Sequence, residues 1–360
     1  MPNKQLSEDL FLTYLADKTL IPSLAGKTVA ITGTTSGLGH ELARLAISKN
    51  AALVLLLNRT SKRSQSSEDD LRRYLDAGDN TLPKTIIKTI DCDLMSFDSV
   101  RKAAAEVNQA VKPYGGLDVL CNNAGIMAFD DKRTADGFDL QMQTNVLSHF
   151  LLTSLVYPSV KDAADKRGEA RIVTQSSSAK DMAAKLEAKY FEKCEEGTLG
   201  GNDAWQISQM AFGKGGPWTR YIQTKLANSA FAMELHKRLT SASSNIKSIA
   251  SEPGYSVTSL QDTEHMGLMG TLSFMMSKQS AADGCLNAAM ACFSPDANSG
   301  DLYAPEKGLV GKPVKYVAGG ERMMTGRLGI GGTDKGTCDP ENQKLVWDSC
   351  EKALGIKFEL

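Results

Sequence analysis

The sequence predicts an α/β fold, a doubly wound parallel sheet with helices on both faces. Three observations predict it. Strand-like and helix-like segments alternate from residue 27 to residue 254 with short connections, as parallel strands joined by crossovers require. The run AALVLLLN (51–58) is apolar throughout, the pattern of a strand buried on both faces. The first strand-like run, KTVAITG (27–33), is β-branched and ends in a glycine that opens a glycine-rich turn.

The elements follow in order. Residues 1–25 read as a short helical N-terminal extension, and 27–33 as the first strand. HELARLAISK (40–49) has helical periodicity, and 51–58 is the second strand. SEDDLRRYLDAG (67–78) is helical, and KTIIKTIDCDL (84–94) is the third strand. SFDSVRKAAAEVNQAVK (96–112) is a helix with Ser96 as N-cap. LDVLCNNAG (117–125) is the fourth strand, and DGFDLQMQTNVLSHFLLTSLV (136–156) a long helix. ARIVTQSS (170–177) and IKSIASEPG (246–254) are the fifth and sixth strands. Residues 179–216 form an insertion, and 306–360 a glycine-rich tail with a helix over 341–354. No repeat, low-complexity tract or linker divides the chain, so one domain with an insertion and a tail is expected.

Composition narrows the function. The chain has 360 residues, 42% apolar and 23% charged, ordinary for a globular protein. A net charge of -1 without a long basic run argues against nucleic acid or an anionic membrane as main partner. The seven cysteines are scattered without a CxxC pair, and the four histidines form no ligand cluster. Reduced thiols, a reducing compartment and no metal are expected. The N-terminal segment is interrupted by charges, unlike a signal peptide, and no apolar run approaches the roughly 18–20 residues that span a bilayer. A cytoplasmic location is expected. The C-terminal KFEL, the sequon Asn58-Arg59-Thr60 and the His40-Glu41 start of a zinc motif, broken by Arg44, are discounted.

TGTTSGLG (32–39) lies at the first strand–helix junction, where an open α/β sheet binds a pyrophosphate. Gly33 lets the chain turn, Gly37 lets the backbone approach phosphate oxygens, and Gly39 lets the helix pack on the strand. The helix start at Ser36, Gly37 and Leu38 offers free N–H groups and a positive dipole end. This makes the sheet Rossmann-type. The second strand ends in Asn58 and Arg59, where a carboxylate would select a free 2′-hydroxyl. Arg59 can pair with a 2′-phosphate, and Thr60, Lys62 and Arg63 add donors or charge, so NADP(H) is expected over NAD(H).

In GPWTRYIQTKLANSAF, Tyr221 stands four residues before Lys225 on a helix-like segment, so a phenol and an ammonium share one face. With TGTTSGLG (32–39), CDL (92–94), NNAG (122–125), RIVTQSS (171–177), YIQTK (221–225) and PG (253–254) in this order, the chain resembles the short-chain dehydrogenases/reductases from residue 27 to about 305. DGFDLQMQTNVLSHFLLT, YIQTKLAN and PGYSVTSLQ are most similar to the retinol-dehydrogenase-like branch, which as a rule prefers NADP(H).

The resemblance implies an oxidoreductase that moves a hydride between nicotinamide and a carbonyl or alcohol. It makes Tyr221 the acid/base, Lys225 its partner, Ser177 the holder of the substrate oxygen, and Asn145 the residue that keeps a helix open for a proton-relay water. Ser176 and Ser178 flank Ser177, so that choice rests on alignment. The resemblance places Asp93 and Leu94 at the adenine and Asn122, Ala124 and Gly125 beside a ribose. Pro253, Gly254, Ser256 and Thr258 fall near the nicotinamide. A substrate lid over 255–280, rich in Met and Leu, would suit a lipophilic carbonyl compound; a core or dimer-packing helix is the alternative for this segment. The expected catalytic domain is 26–305, and homodimers or homotetramers are common among such proteins.

Two features depart from the family pattern. Thr224 replaces the usual serine before the lysine, and Ser177 and Tyr221 are 44 residues apart because of the insertion. Trp205 and Trp218 in or beside it are candidate pocket residues. The alternatives are a catalytically idle NADP(H)-binding sensor or scaffold, and a protochlorophyllide-reductase-like C=C reductase. A free phenol has a pKa near ~10, and the adjacent ammonium is expected to lower that of Tyr221.

Overall fold

The computed structural model describes residues 7–78, 84–199, 216–256, 279–317 and 334–360. Among them, helix α1 (Asp9–Ala16) precedes β1 (Thr28–Thr32), α2 (Gly37–Ser48), β2 (Leu53–Asn58), α3 (Lys62–Asp76), β3 (Ile86–Asp91), α4 (Phe97–Val111) and β4 (Val119–Asn122). Then come α5 (Leu140–Met142), a π turn (Gln143–Leu147), α6 (Ser148–Arg167) and β5 (Ala170–Gln175). Beyond these lie α7 (Gly216–Ser241), β6 (Ile246–Ser251), α8 (Ala281–Phe293), β7 (Asp301–Pro305), β8 (Pro313–Val317), α9 (Lys335–Cys338) and α10 (Pro340–Leu354).

The eight strands form one sheet in the order β3-β2-β1-β4-β5-β6-β7-β8. All neighbours are parallel except β7 and β8, which are antiparallel. The chain steps outward from β1 to β3 and then crosses back to β4, so β1 and β4 form the topological switch point where such sheets bind ligands. β1, β2 and β5 are buried along their whole length, because helices cover both faces. One face carries α4, α6, α7 and α10, the other α1, α2 and α8. This is the doubly wound parallel sheet that the apolar strand runs predict.

Three elements differ from the sequence reading. α3 begins at Lys62 rather than 67, because its inward face is serine rather than aliphatic. Ser61 caps it by accepting from Ser64 N, and Ser67 donates to the Thr34 carbonyl at 2.7 Å. α8 is buried on nearly every side, so its sequence shows no amphipathic period to read. β7 and β8 are short, and β8 begins with a proline at the sheet edge, where a missing N–H costs least.

On the α6–α7 face, α10 brings Trp347 between Phe150 and Phe231, and Phe358 stacks on Trp347 at 5.1 Å. Residues 200–215 of the insertion, Trp205 included, and 257–278 of the expected lid lie outside the described residues.

Candidate active site

The first wall is the turn after β1. Gly33 has φ +72, and a Cβ there would lie 2.8 Å from Ala124 Cβ. Gly37, with φ +63, opens α2 behind Ser36. A Cβ on Gly39 would lie 2.3 Å from the Gly33 carbonyl, so helix and turn touch backbone to backbone. The first N–H groups of α2 have no acceptor within the helix and can hold a phosphate. Leu38 packs its side chain against the core on that face.

Arg59 and Thr60 are exposed beside this turn. Thr60 donates from both N and Oγ1 to Asp91 Oδ1 at 2.7 Å, which engages that carboxylate. Arg63 donates to Ser36 Oγ at 2.6 Å. Asn58 is turned inward: its amide exchanges two hydrogen bonds with Thr34, at 2.8 and 2.7 Å, and so braces the turn from below. Asp93 accepts from Met95 N at 3.0 Å and is half-buried, while the Leu94 side chain is in the core.

After β4 the two asparagines part ways. Asn122 faces the core and donates to Thr153 Oγ1 at 2.9 Å. Asn123, which sequence reasoning passed over, donates to the Thr32 and Gly33 carbonyls at 2.8 and 3.3 Å and ties the two turns together. Ala124 donates its N–H to Thr32 Oγ1 at 2.9 Å. A Cβ on Gly125 would lie 3.3 Å from Asn145 Oδ1 and 3.5 Å from Lys225 Nζ. That glycine therefore lets the backbone lie close against both groups.

Tyr221 and Lys225 are each 4% exposed, one turn apart on α7, with Nζ 5.7 Å from the phenol ring centre. Lys225 donates to the Gln175 carbonyl at the end of β5, at 3.2 Å. Among the three serines that follow, Ser176 donates to the Lys225 carbonyl at 2.7 Å. Ser177 hydrogen-bonds the Tyr221 hydroxyl. Ser176 is thus tied to the main chain, while Ser177 is the serine that acts on the phenol. Asn145 lies in the π turn. It donates to the Ile126 carbonyl at 2.9 Å and to Thr224 Oγ1 at 3.0 Å, and accepts from Ile126 N at 2.8 Å. Thr224 thus serves Asn145 with the hydroxyl a serine would have offered.

The expected lowering of the Tyr221 pKa is corrected by the structure. Burial pushes it up to about 12, the Ser177 hydrogen bond opposes this, and nearby Glu252 adds to it. Burial also brings Lys225 down to about 8, against the pull of Glu252. Loss of water penalises phenolate and ammonium alike, and here it outweighs their proximity.

Gly254 has φ +66, and a Cβ there would meet the Leu309 carbonyl at 2.3 Å, so the Pro253–Gly254 turn packs directly on the loop between β7 and β8. Ser256 donates to the Pro253 carbonyl at 3.0 Å and abuts Gly284. Thr258 lies outside the described residues. Trp218 meets the Tyr221 ring edge-on at 5.9 Å, and Met127, Ala128 and Ala179 complete that apolar wall. Phe129 and Met182 are exposed nearby in sequence, on the loop after β4 and on the turn after Ser177.

A buried charge cluster was also missed. Lys180 Nζ lies 2.6 Å from Asp181, 3.3 Å from Glu252 and 2.5 Å from Asp334, with all four side chains buried. It ties the turn after Ser177, the end of β6 and the C-terminal segment together. The available signal was a charged residue three positions after RIVTQSS, at 180, and one directly before PG, at 252.

Comparison with known proteins identifies the family. The sequence model of the short chain dehydrogenases matches residues 27–191. A short-chain dehydrogenase/reductase of Armillaria gallica is 31% identical over 332 residues, which cover 92% of this chain and 91% of the relative. This chain belongs to the short-chain dehydrogenase/reductase family. A second family member, from Colletotrichum higginsianum, is 30% identical over 66% of this chain but only 56% of its own length. A crystal structure from Mycobacterium paratuberculosis superposes with a TM-score of 0.65 at 27% identity, covering 96% of this chain and 98% of that one. The NADPH-bound carbonyl reductase from chicken fatty liver shares the fold, with a TM-score of 0.53 at 20% identity over 80% of this chain and its own full length (100%). The protein is thus a member of an oxidoreductase family. Among the described residues, no helix is long and apolar enough to cross a membrane.

Proposed function

We propose that this protein is an NADP(H)-dependent carbonyl reductase or alcohol dehydrogenase, akin to the retinol-dehydrogenase-like branch, acting on a lipophilic substrate. In this reading residues 26–305 are the catalytic domain and the C-terminal tail packs on it. The observation that carries it is the convergence of buried Tyr221, Lys225 and Asn145 with half-buried Ser177 beside the phenol, and with Gly125 against Asn145 and Lys225. A binding module without turnover has no use for that set.

Gly33, Gly37, Gly39 and the start of α2 would hold the pyrophosphate, with the Gly125 backbone close beside Lys225. Exposed Arg59 and Arg63 would meet the 2′-phosphate, and Asp91 is already engaged by Thr60. The bound nicotinamide supplies or accepts the hydride. The chain's own part is the proton. With its pKa pushed up to about 12, Tyr221 holds a proton at Oη at neutral pH and delivers it to the substrate oxygen in reduction. The Ser177 hydroxyl offers a preorganised donor to the same oxygen. Lys225 balances the phenolate left behind, and regains charge-assisted strength as that charge develops. The apolar wall of Trp218, Met127 and Ala128 excludes water from the step.

The test is a fluorescence titration of NADPH against NADH in wild type and Arg59→Ala, followed by turnover of aldehydes, ketones and quinones with Tyr221→Phe as control. NADPH preference that weakens in Arg59→Ala, with turnover lost in Tyr221→Phe, is the expected result. Absence of binding by either nucleotide overturns the reading.

A further inference from the structure

His149 has no part in the proton transfer described above, yet it is buried beneath it. Its Nδ1 lies 3.1 Å from the Asn145 main-chain carbonyl, and its Nε2 lies 2.9 Å from Thr32 Oγ1. A carbonyl oxygen only accepts, so Nδ1 carries the hydrogen. Thr32 Oγ1 already accepts two N–H groups, from Asn123 at 3.0 Å and Ala124 at 2.9 Å. A hydroxyl has two lone pairs and one proton, so what remains is its O–H, which has the Cys121 carbonyl at 3.5 Å and His149 Nε2 at 2.9 Å in reach and goes to the nearer. Every valence at Thr32 is then used. A protonated imidazole would aim a second N–H at an oxygen with no lone pair left, and Lys225 faces it with like charge. Burial and that charge bring the His149 pKa down to about 4, in agreement with the count of hydrogen bonds.

The chain of contacts is continuous. Thr32 ends β1 just before Gly33 and holds the turn after β4. His149 carries the link to Asn145 in the π turn, and Asn145 carries it to Ile126 and to Thr224 on the helix of Tyr221 and Lys225. We propose that neutral His149, as its Nδ1–H tautomer, is a positioning residue that couples the glycine-rich turn to the Asn145–Tyr221–Lys225 side of the site. The consequence for nucleotide rests on the proposed function; the hydrogen-bonded link itself does not.

The test uses the full chain with three variants. His149→Gln keeps one donor and one acceptor but cannot take up a proton. His149→Phe removes both, and Thr32→Val removes the hydroxyl from the other end. In nitrogen-detected NMR of wild type, one imidazole, assigned by its loss in His149→Gln, should be the Nδ1–H tautomer and should not titrate across about pH 5 to 8. Amide exchange at Ile126, whose N–H is held by Asn145 Oδ1, should quicken in His149→Phe and Thr32→Val and stay near wild type in His149→Gln. NADPH affinity should fall about tenfold in His149→Phe and within about twofold of that in Thr32→Val, with recovery in His149→Gln. The Thr32→Val/His149→Phe double variant should be no worse than either single one.

An Nε2–H tautomer, an ordinary titration near the free-histidine range, or unchanged Ile126 exchange in His149→Phe overturns the proposal. Should His149→Phe fail to fold, the tautomer and the Thr32→Val exchange decide. Should wild type bind no nucleotide, the proposed function falls while the tautomer and exchange readouts still judge the link.

Discussion

The turn after β1 and the pocket around Tyr221 are neighbours built on different physics. The turn is backbone geometry: positive φ at Gly33 and Gly37, and a Cβ-free approach of Gly39 to the Gly33 carbonyl. Its neighbouring cations, Arg59 and Arg63, are exposed. The pocket is made of side chains taken out of water: Tyr221, Lys225, Asn145, His149 and the Lys180 cluster are all buried. In the first region residue type alone fixes what the site can do. In the second the environment sets the protonation state of each group, to the point of reversing the direction expected for Tyr221.

Perturbing the two regions should separate binding from chemistry. The largest effect belongs to Tyr221→Phe. It should lower turnover by about 10³-fold, within the range for losing a general acid, while NADPH affinity stays near wild type. Steady-state kinetics with a fluorescence titration checks this, and an equal loss of binding would erase the distinction.

Lys180→Met should follow, because it removes the ammonium shared by Asp181, Glu252 and Asp334. Breaking a buried ion pair costs about 3–5 kcal/mol, readable by urea denaturation. Stability unchanged in that variant would mean that the cluster adds no net energy.

The pocket should also respond to acid. His149 has a folded pKa of about 4 against 6.5 for the free group, so the unfolded chain binds more protons between those values. Stability therefore falls as pH drops through that window, by up to about 3 kcal/mol at the low end. Asp139, pushed up to about 6 by burial, acts in the opposite sense. The difference between wild type and His149→Gln isolates the histidine, and parallel stability curves for the two would count against it.

On the turn side, Gly39→Ala should cost about 1–3 kcal/mol by overpacking against the Gly33 carbonyl and should weaken NADPH before it touches chemistry. Smallest is Arg59→Ala. Losing one exposed charge-assisted contact should weaken NADPH about tenfold and leave NADH unchanged, and equal losses for both would remove Arg59 from cofactor choice.

Much was legible in the chain itself. The apolar run 51–58 located a strand buried on both faces, and the glycine spacing at 33, 37 and 39 located the turn. These follow from local rules: burial on both faces leaves no polar alternation, and positive φ calls for glycine. Ser96 as cap of α4 was equally local, and it does accept from Ser99 N. α8 escaped because a helix buried all round has no polar face, and the start of α3 because its inward face is serine hydrogen-bonded to the turn.

By itself the sequence determined the α/β class, the strand–helix order through β6 and the spacing of Tyr221 and Lys225 on one helical face. Tertiary structure alone decided the rest: that Ser176 is tied to the Lys225 carbonyl, that Asn123 rather than Asn122 ties the turns, that residues 143–147 form a π turn, and that Lys180, Glu252 and Asp334 share one buried point. The physical reason is range. Backbone preferences and periodicity act over a few residues and are written in order along the chain. Desolvation and hydrogen-bond partnership depend on groups far apart in the chain, such as Lys180 and Asp334, and no local pattern records how much water each will lose.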